Sequence, residues 1–489
     1  MLTPFFGELE ALRTDYAGMF RRWFLIRLLL ASCVLPVNAT PLVLSLDQAL
    51  ERGLDASLAL KQAETSQEAS EAAVGISRSM FMPKLDVVGL ASWAQVGSSI
   101  GFISNLPTIG DLNFDLNSKG YALIQNSFGN IGLALSYPLV DFERGPLLEA
   151  AKALDQAAEA RVMEQKRQSR FSITTAYLQL QLADALIPVW ADSIDLSTNL
   201  LKDAEALLEG GLGARIDVFQ ARALLSTDRS GLSSARSTRA IAASALARLL
   251  DLPAEQRLEA SDPLESFPPW PLNLEASVGA ATRNRPALDV IRQAQIAAEA
   301  KVKAAQGSRL PRIGVLLGGG INGDSLKVPV LNGSSSISNV PVVGEVNLPN
   351  AESSGSVSGS FYDYGIMLNL RQSLFDGGLS TQSTALARSQ VEEQRLLLKQ
   401  REQLIIQAVE SFWHINQSAA IAMKASRDAE IATEEAVRDA QLRYRAGIAP
   451  ITELLLVKRD RQAARSAAAV AVQQWNFSRA GLELQTGLR

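Results

Sequence analysis

One histidine, His414, and one cysteine, Cys33, serve the whole 489-residue chain. A Cys/His zinc site needs several such ligands, and a Ser–His or Cys–His nucleophile needs its base. Neither set can be assembled here, and a disulfide framework is excluded. His414 lies beside Trp413 in a helix-forming stretch and reads as a packing or lumen residue. No Gly-rich phosphate loop occurs, so any energy must come from a partner. No cofactor or metal is expected. What remains is a set of charged residues that recurs. Asp217 follows Gly211 by six positions, and Glu453 follows Gly447 by six. Tyr444 precedes Gly447 by three, flanked by Arg443 and Arg445. By residue type this is helix-end chemistry. The glycines suit helix C-caps, the arginines suit the last turn before them, and the carboxylates suit the first turn of the next helix. A carboxylate there stabilises the helix dipole by about 0.3–1 kcal/mol.

Those pairs recur because the chain is two copies of one unit. At a shift of 228, Leu44-Ser45-Leu46-Asp47 falls on Leu272-Asn273-Leu274-Glu275, and Met82-Pro83-Lys84-Leu85 on Leu310-Pro311-Arg312-Ile313. At 236, Tyr177 meets Trp413, Gly211 meets Gly447, and Asp217 meets Glu453. So long a period marks a domain duplication, with repeats at 40–252 and 273–489. The stretch 253–272 between them carries Pro253, Pro263, Pro268, Pro269 and Pro271 and reads as a stiff connector.

Each repeat begins with a helical segment, Leu46 to Phe81 and Leu274 to Arg309, the second expected to break at Pro286. Pro83 and Pro311 end these segments. Two strands follow, then a very long helix, a glycine turn and a returning helix. Leu379 to Ala446 contains 68 residues without Gly or Pro. As one helix it would be on the order of 100 Å long. Its counterpart, Leu147 to Glu209, is interrupted only by Pro188, where a kink is expected. The apolar positions are too Ala-rich and irregular for a free coiled coil and suit a helix with neighbours on both sides.

The strands alternate. Tyr362, Tyr364, Ile366, Leu368 and Leu370 share one parity, and Ile131, Leu133, Leu135 and Tyr137 repeat the pattern. Barrel strands are placed at about 84–138 and 312–374. The stretches from Asn105 to Lys119 and from Asn332 to Gly359 read as long loops. Four strands per chain cannot close a membrane barrel, which needs about eight. An open sheet edge is forbidden in lipid. Either the sheet is soluble, or several chains pool their strands.

Composition narrows the partners, and the N-terminus carries an address. Hydrophobic residues make up 47% and charged residues 20%, and 47 Lys+Arg against 51 Asp+Glu leave a net charge of −4. An acidic, balanced chain is a poor nucleic-acid binder. From Met19, a basic start, an apolar run and the exit Val37-Asn38-Ala39 read as a secretory signal peptide over 1–39. Met19 reads as the start of translation. Leu30-Ala31-Ser32-Cys33 also resembles a lipobox, which would make Cys33 a lipidated terminus.

Taken in order, and twice over, these motifs resemble the TolC family of outer-membrane efflux proteins. The carriers are the signal peptide, the duplication, Pro83 and Pro311, Ser373-Leu374-Phe375-Asp376-Gly377-Gly378 at a strand-to-helix switch, and Arg443-Tyr444-Arg445-Ala446-Gly447 before a helix. The resemblance implies a mainly α protein with a membrane β-barrel: a homotrimer with a 12-stranded barrel in outer-membrane lipid and a 12-helix periplasmic tunnel. It implies a periplasmic adaptor and an inner-membrane pump as partners. It also implies that Asp217, Tyr444 and Glu453 belong to a polar network closing the tunnel and attracting cations. The turns Gly211-Leu212-Gly213-Ala214 and Gly447-Ile448-Ala449-Pro450 would face the adaptor. Ala449 stands where the best-known members carry a basic residue, and Leu456 where they carry a second carboxylate. Arg443, Arg445 and Arg215 are the nearby cations that could take the basic role.

The expected function is an outer-membrane exit duct for a tripartite efflux or type I secretion system, not an enzyme. The rival is a soluble periplasmic coiled-coil scaffold with a small sheet.

Overall fold

A computed structural model describes residues 41–109, 112–253, 256–328, 332–340, 344–351 and 355–488. The segment read as a signal peptide, with Cys33, lies outside them. The first repeat holds β1 (Leu42–Leu44), α1 (Leu46–Ala56), α2 (Leu58–Ser79), β2 (Lys84–Ile109), β3 (Leu112–Val140), α3 (Arg144–Glu209) and α4 (Arg215–Leu249). The second holds α5 (Leu274–Asn284), α6 (Pro286–Gly307), β5 (Arg312–Val328), β6 (Asn332–Val340), β7 (Gly344–Ala351), β8 (Gly355–Arg371), α7 (Leu379–Arg445) and α8 (Ile451–Thr486). The connector between them carries β4 (Leu258–Ala260).

Local chemistry sets the boundaries. Ser45 caps α1: its Oγ accepts from Gln48 N–H, while Gln48 Oε1 accepts from Ser45 N–H. Pro286 opens α6 at the first helical position. The first helical segment also breaks, at Ser57, where the sequence offers no proline. There the Ser57 hydroxyl accepts from Leu60 N–H and restarts the helix. Asp376 opens α7 by accepting from Gly378 and Ser380 N–H. The helices α3 and α7 run 66 and 67 residues, and α3 continues across Pro188.

The chain forms two compact units that do not follow the repeats. Of the described residues, one comprises those in 41–60, 165–284 and 406–488; the other comprises those in 61–164 and 285–405. Each takes segments from both repeats, because α3 and α7 contribute to both. In the first unit, β1 pairs in parallel with β4, Leu42 opposite Leu258. Leu50, Ile173, Tyr177, Leu180, Leu246 and Leu250 pack beside them. The connector is strapped to α8. Phe267 N–H donates to Asn476 Oδ1, Trp475 Nε1 to Phe267 O, and Arg479 Nη1 to the carbonyls of Pro268 and Pro269. A proline-rich stretch has few backbone donors, so side chains satisfy its carbonyls.

In the second unit the strands build one antiparallel sheet. The β3 strand has β2 along one edge; along the other, β5 pairs with Gln125–Val140 and β6 with Asp115–Tyr121. The β8 strand pairs with β5, and β7 with β6. The stretches expected as loops, 105–119 and 332–359, are therefore largely strand. Their Gly, Ser and Asn content suggested turns, but pairing along a long neighbour overrides weak β-propensity. The register aligns Leu85, Leu135, Leu317 and Ile366 in one row, and Val87, Leu133, Gly319 and Tyr364 in the next. These rows give one face an exposed apolar belt. The opposite face carries Asp86, Ala134, Gly318 and Gly365 in one row, and Leu90, Asn130, Asn322 and Phe361 in another. A Cβ on Gly132 would lie 2.7 Å from Gly319 O, so only glycine allows the strands to approach so closely there.

Candidate functional site

The two glycine turns and the four helices meeting at them bring the recurrent charges together. Both turns have one geometry. Gly211 and Gly447 adopt φ of +73° and +71°. Leu212 N–H reaches Leu207 O and Gly211 N–H reaches Leu208 O; Ile448 and Gly447 bond likewise to Arg443 and Tyr444. This paired bonding is the Schellman arrangement that satisfies a helix's last carbonyls. Ala214 and Pro450 then start the next helices as N-caps without side-chain bonds. The turns leave Leu212 and Ile448 as exposed apolar tips.

Beneath the turns, Leu200, Ala204, Val218, Ala221, Leu224, Ala440, Ile451 and Leu454 form a small core around Tyr444. Tyr444 is only 3% exposed. Its hydroxyl has no hydrogen-bond partner among the described residues. Burial, then the negative charges of Asp217 and Asp203, push the Tyr444 phenol up to about 12. A neutral phenol beside carboxylates is a poised donor, able to bond whichever acceptor moves within reach.

Of the sequence candidates, Asp217 and Tyr444 lie in this one electrostatic group. Glu453 is engaged elsewhere: Arg443 Nη1 donates to its Oε1 at 2.9 Å and lies 3.7 Å from Asp439. Arg445 pairs with Asp203 at 2.8 Å. So Arg443 and Arg445 both serve as counter-ions. Asp203 was missed because it lies outside the turn motif. The repeat shift of 236 would have found it, since it superposes Asp203 on Asp439.

A second missed feature sits one step further along the helices. Lys458 Nζ pairs with Asp228 Oδ2, which also accepts from Ser197 Oγ at 2.7 Å. Lys458 and Asp228 are 3% and 4% exposed. Burial lowers the Lys458 pKa, and the Asp228 carboxylate opposes the shift. Further along α8, Arg461 pairs with Glu434, and Arg465 with Asp192 at 2.5 Å. No alternation or spacing rule signals a lysine inside a helix packing layer.

Asp141 and Asp376 act as turn and cap residues, as their positions suggest: Asp141 Oδ1 accepts from Glu143 N–H. His414 contacts Trp413 edge to face. No cluster of metal-ligating side chains occurs among the described residues. Among them, no helix is long and apolar enough to cross a membrane.

The family model for outer membrane efflux proteins matches residues 47–251 and again 278–488. The chain belongs to that family. It is an outer-membrane exit channel of the tripartite efflux or type I secretion kind, not an enzyme. Members of the family work with a periplasmic adaptor and an inner-membrane pump. Membership sets aside the soluble scaffold. Protein CyaE of Bordetella pertussis is 27% identical over 427 residues, 86% of this chain and 79% of that protein. Among solved structures, the outer membrane protein VceC of Vibrio cholerae matches with a TM-score of 0.68 at 16% identity, covering 90% of this chain and 96% of that one. The open-state MtrE channel of Neisseria gonorrhoeae matches with a TM-score of 0.65 at 19% identity, covering 91% and 89%. These structures share the fold.

Proposed function

We propose that three copies of this chain pool their strands into a 12-stranded outer-membrane barrel and their long helices into a 12-helix periplasmic tunnel. The carrying observation is the sheet itself. One face is an apolar belt from Leu85, Leu135, Leu317 and Leu370 to Trp93, Ile131, Ile321 and Tyr362, and among the described residues the outer edges of β2 and β8 are unpaired. A sheet whose face suits lipid cannot keep open edges there, so β8 of one copy meets β2 of the next. Nine residues of strand, Tyr362 to Leu370, span about 30 Å, the thickness of a bilayer core. Trp93, Tyr362 and Tyr364 place aromatic rings at one rim of the belt, as membrane barrels do.

The hairpin ends form the gate of this tunnel. Tyr444 with Asp217 and Asp203, and Glu453 with Arg443, are its polar links. In a trimer, three copies of Glu453 and Asp217 ring the opening and attract cations. The exposed tips Leu212 and Ile448, within Gly211–Ala214 and Gly447–Pro450, meet the adaptor, which opens the gate by parting the links. The conductance of single channels in planar bilayers tests this. Asp217→Ala combined with Glu453→Ala should raise it and weaken cation selectivity. Unchanged conductance would return both carboxylates to helix-dipole partners only.

A further inference from the structure

The strands are much longer than a bilayer requires, and their polarity inverts half-way. Up to Trp93, Ile131, Ile321 and Tyr362 the belt face is apolar. Beyond, the same face carries Gln95, Gly97 and Ser99 on β2, Gln125 and Ser127 on β3, Ser325 and Lys327 on β5, and Ser356, Ser358 and Ser360 on β8. The opposite face there gains Val96, Ile124, Phe128, Leu326 and Val357, interspersed with Ser92, Asn126 and Asp324. A face that is apolar in one segment and polar in the next has left the lipid at the point of change. Past Trp93, β2 continues for about 16 residues, which is about 50 Å of strand.

That overhang is not a frayed hairpin. Along β3 it is covered by two strands laid end to end: β5 below and β6 above, both antiparallel to β3. On the far side of the sheet, β8 below and β7 above follow one another in the same way. The free edge of β2 is 26 residues long, and β8 and β7 are 17 and 8 residues long. The two short strands together match the one long edge. If only β8 met the next copy, the upper edge of β2 and the edge of β7 would stay open.

We propose that the barrel does not end at the membrane. The β7 strand of one copy pairs with the upper part of β2 of the next, and the wall continues into the medium as a second, water-surrounded tier of 12 strands. The inverted polarity then fits both tiers. Polar side chains face lipid-free water outside, and the apolar side chains of the other face line the exit. The exit is carried past the lipid headgroups, so cargo is released clear of the membrane surface. This rests on the trimer proposed above; the upper tier is the added claim.

Cysteine accessibility on intact cells tests it, with the parent chain and its lone Cys33 as the background. Ser99→Cys and Ser358→Cys should react with a membrane-impermeant maleimide as fully as in lysed cells, while Leu133→Cys and Ile366→Cys should stay at the parent's level. Asn347→Cys on β7, paired with a cysteine scan over 101–109 of β2, should give an oxidised band linking separate chains at a run of scan positions. Trimers in mild detergent are scored on the same samples. Trimers with loss of labelling at 99 and 358, or without any β7–β2 link, would overturn the second tier and leave the trimer standing. Absence of trimers would overturn both readings.

Discussion

At the residue scale, a burial-shifted group reports on the proposed gate directly. The Tyr444 phenol is raised to about 12, as is that of Tyr177, which is buried against Leu44 O and Asp262. An unfolded tyrosine ionises near 10. The raised value means that the folded state holds its proton more tightly. The associated stability is complete below pH 10 and is lost as pH rises through 12. Tyr444→Phe should therefore flatten the alkaline fall in unfolding midpoint between pH 10 and 12, and ultraviolet titration should lose one late-ionising phenol. A Tyr444 that ionises with the exposed tyrosines would contradict the buried, carboxylate-flanked site. The Lys458–Asp228 pair answers to a different rule. Cutting one partner leaves an uncompensated buried charge, at a cost of about 3–5 kcal/mol. Lys458→Met should lower the guanidinium unfolding midpoint strongly, and adding Asp228→Leu should recover most of the loss. In the sequence, Tyr444 and Asp217 stand out by their spacing from the turn glycines. Asp228 and Lys458 do not, because charged residues inside an Ala-rich helix look like a solvated face until the neighbouring helices are in place.

At the scale of elements, boundaries were legible where one residue's covalent chemistry dictates them. Pro286 splits one helical segment, Asp376 opens α7, and the two glycines end helices. Ser57 shows the limit: a serine cap is one of many serines, and only its contact with Leu60 N–H distinguishes it. The Ser- and Gly-rich stretch 332–351 shows another. Its β6 strand lies along β3, a partner some 200 residues away in sequence that no local pattern contains, and β7 then pairs with β6. The glycine turns make a testable case. A left-handed backbone costs an L-residue with a Cβ roughly 1–2 kcal/mol. Gly211→Ala and Gly447→Ala should each lower stability by about that amount, because nothing lies within 4 Å of an added Cβ and strain is the sole penalty. Gly307, with φ in the ordinary range, fails by another route: its Cβ would lie 2.7 Å from Phe142 O. Equal unfolding midpoints for Gly447→Ala and the parent would show that the turn relaxes out of the left-handed region.

At the scale of the molecule, the sheet has two chemically distinct faces, and the proposed barrel sets each against a different medium. The strands cannot choose their faces independently, because side chains alternate strictly and the register locks neighbours into common rows. Leu368 and Met367 are adjacent, both about half exposed or more, yet belong to opposite faces. A charge on the lipid side of a barrel costs about 2–4 kcal/mol at mid-bilayer, whereas a lumen position is solvated. Leu368→Arg should therefore reduce the yield of membrane-inserted, detergent-resistant trimers. Met367→Arg should leave the yield near the parent's and alter conductance instead. Two adjacent substitutions of one chemistry with opposite readouts separate a lipid-embedded barrel from a soluble sheet, in which both positions would face water and neither would disturb assembly. If both arginines were equally tolerated, the belt would be an ordinary exposed face, and the unpaired edges of β2 and β8 would need another explanation than a neighbouring copy.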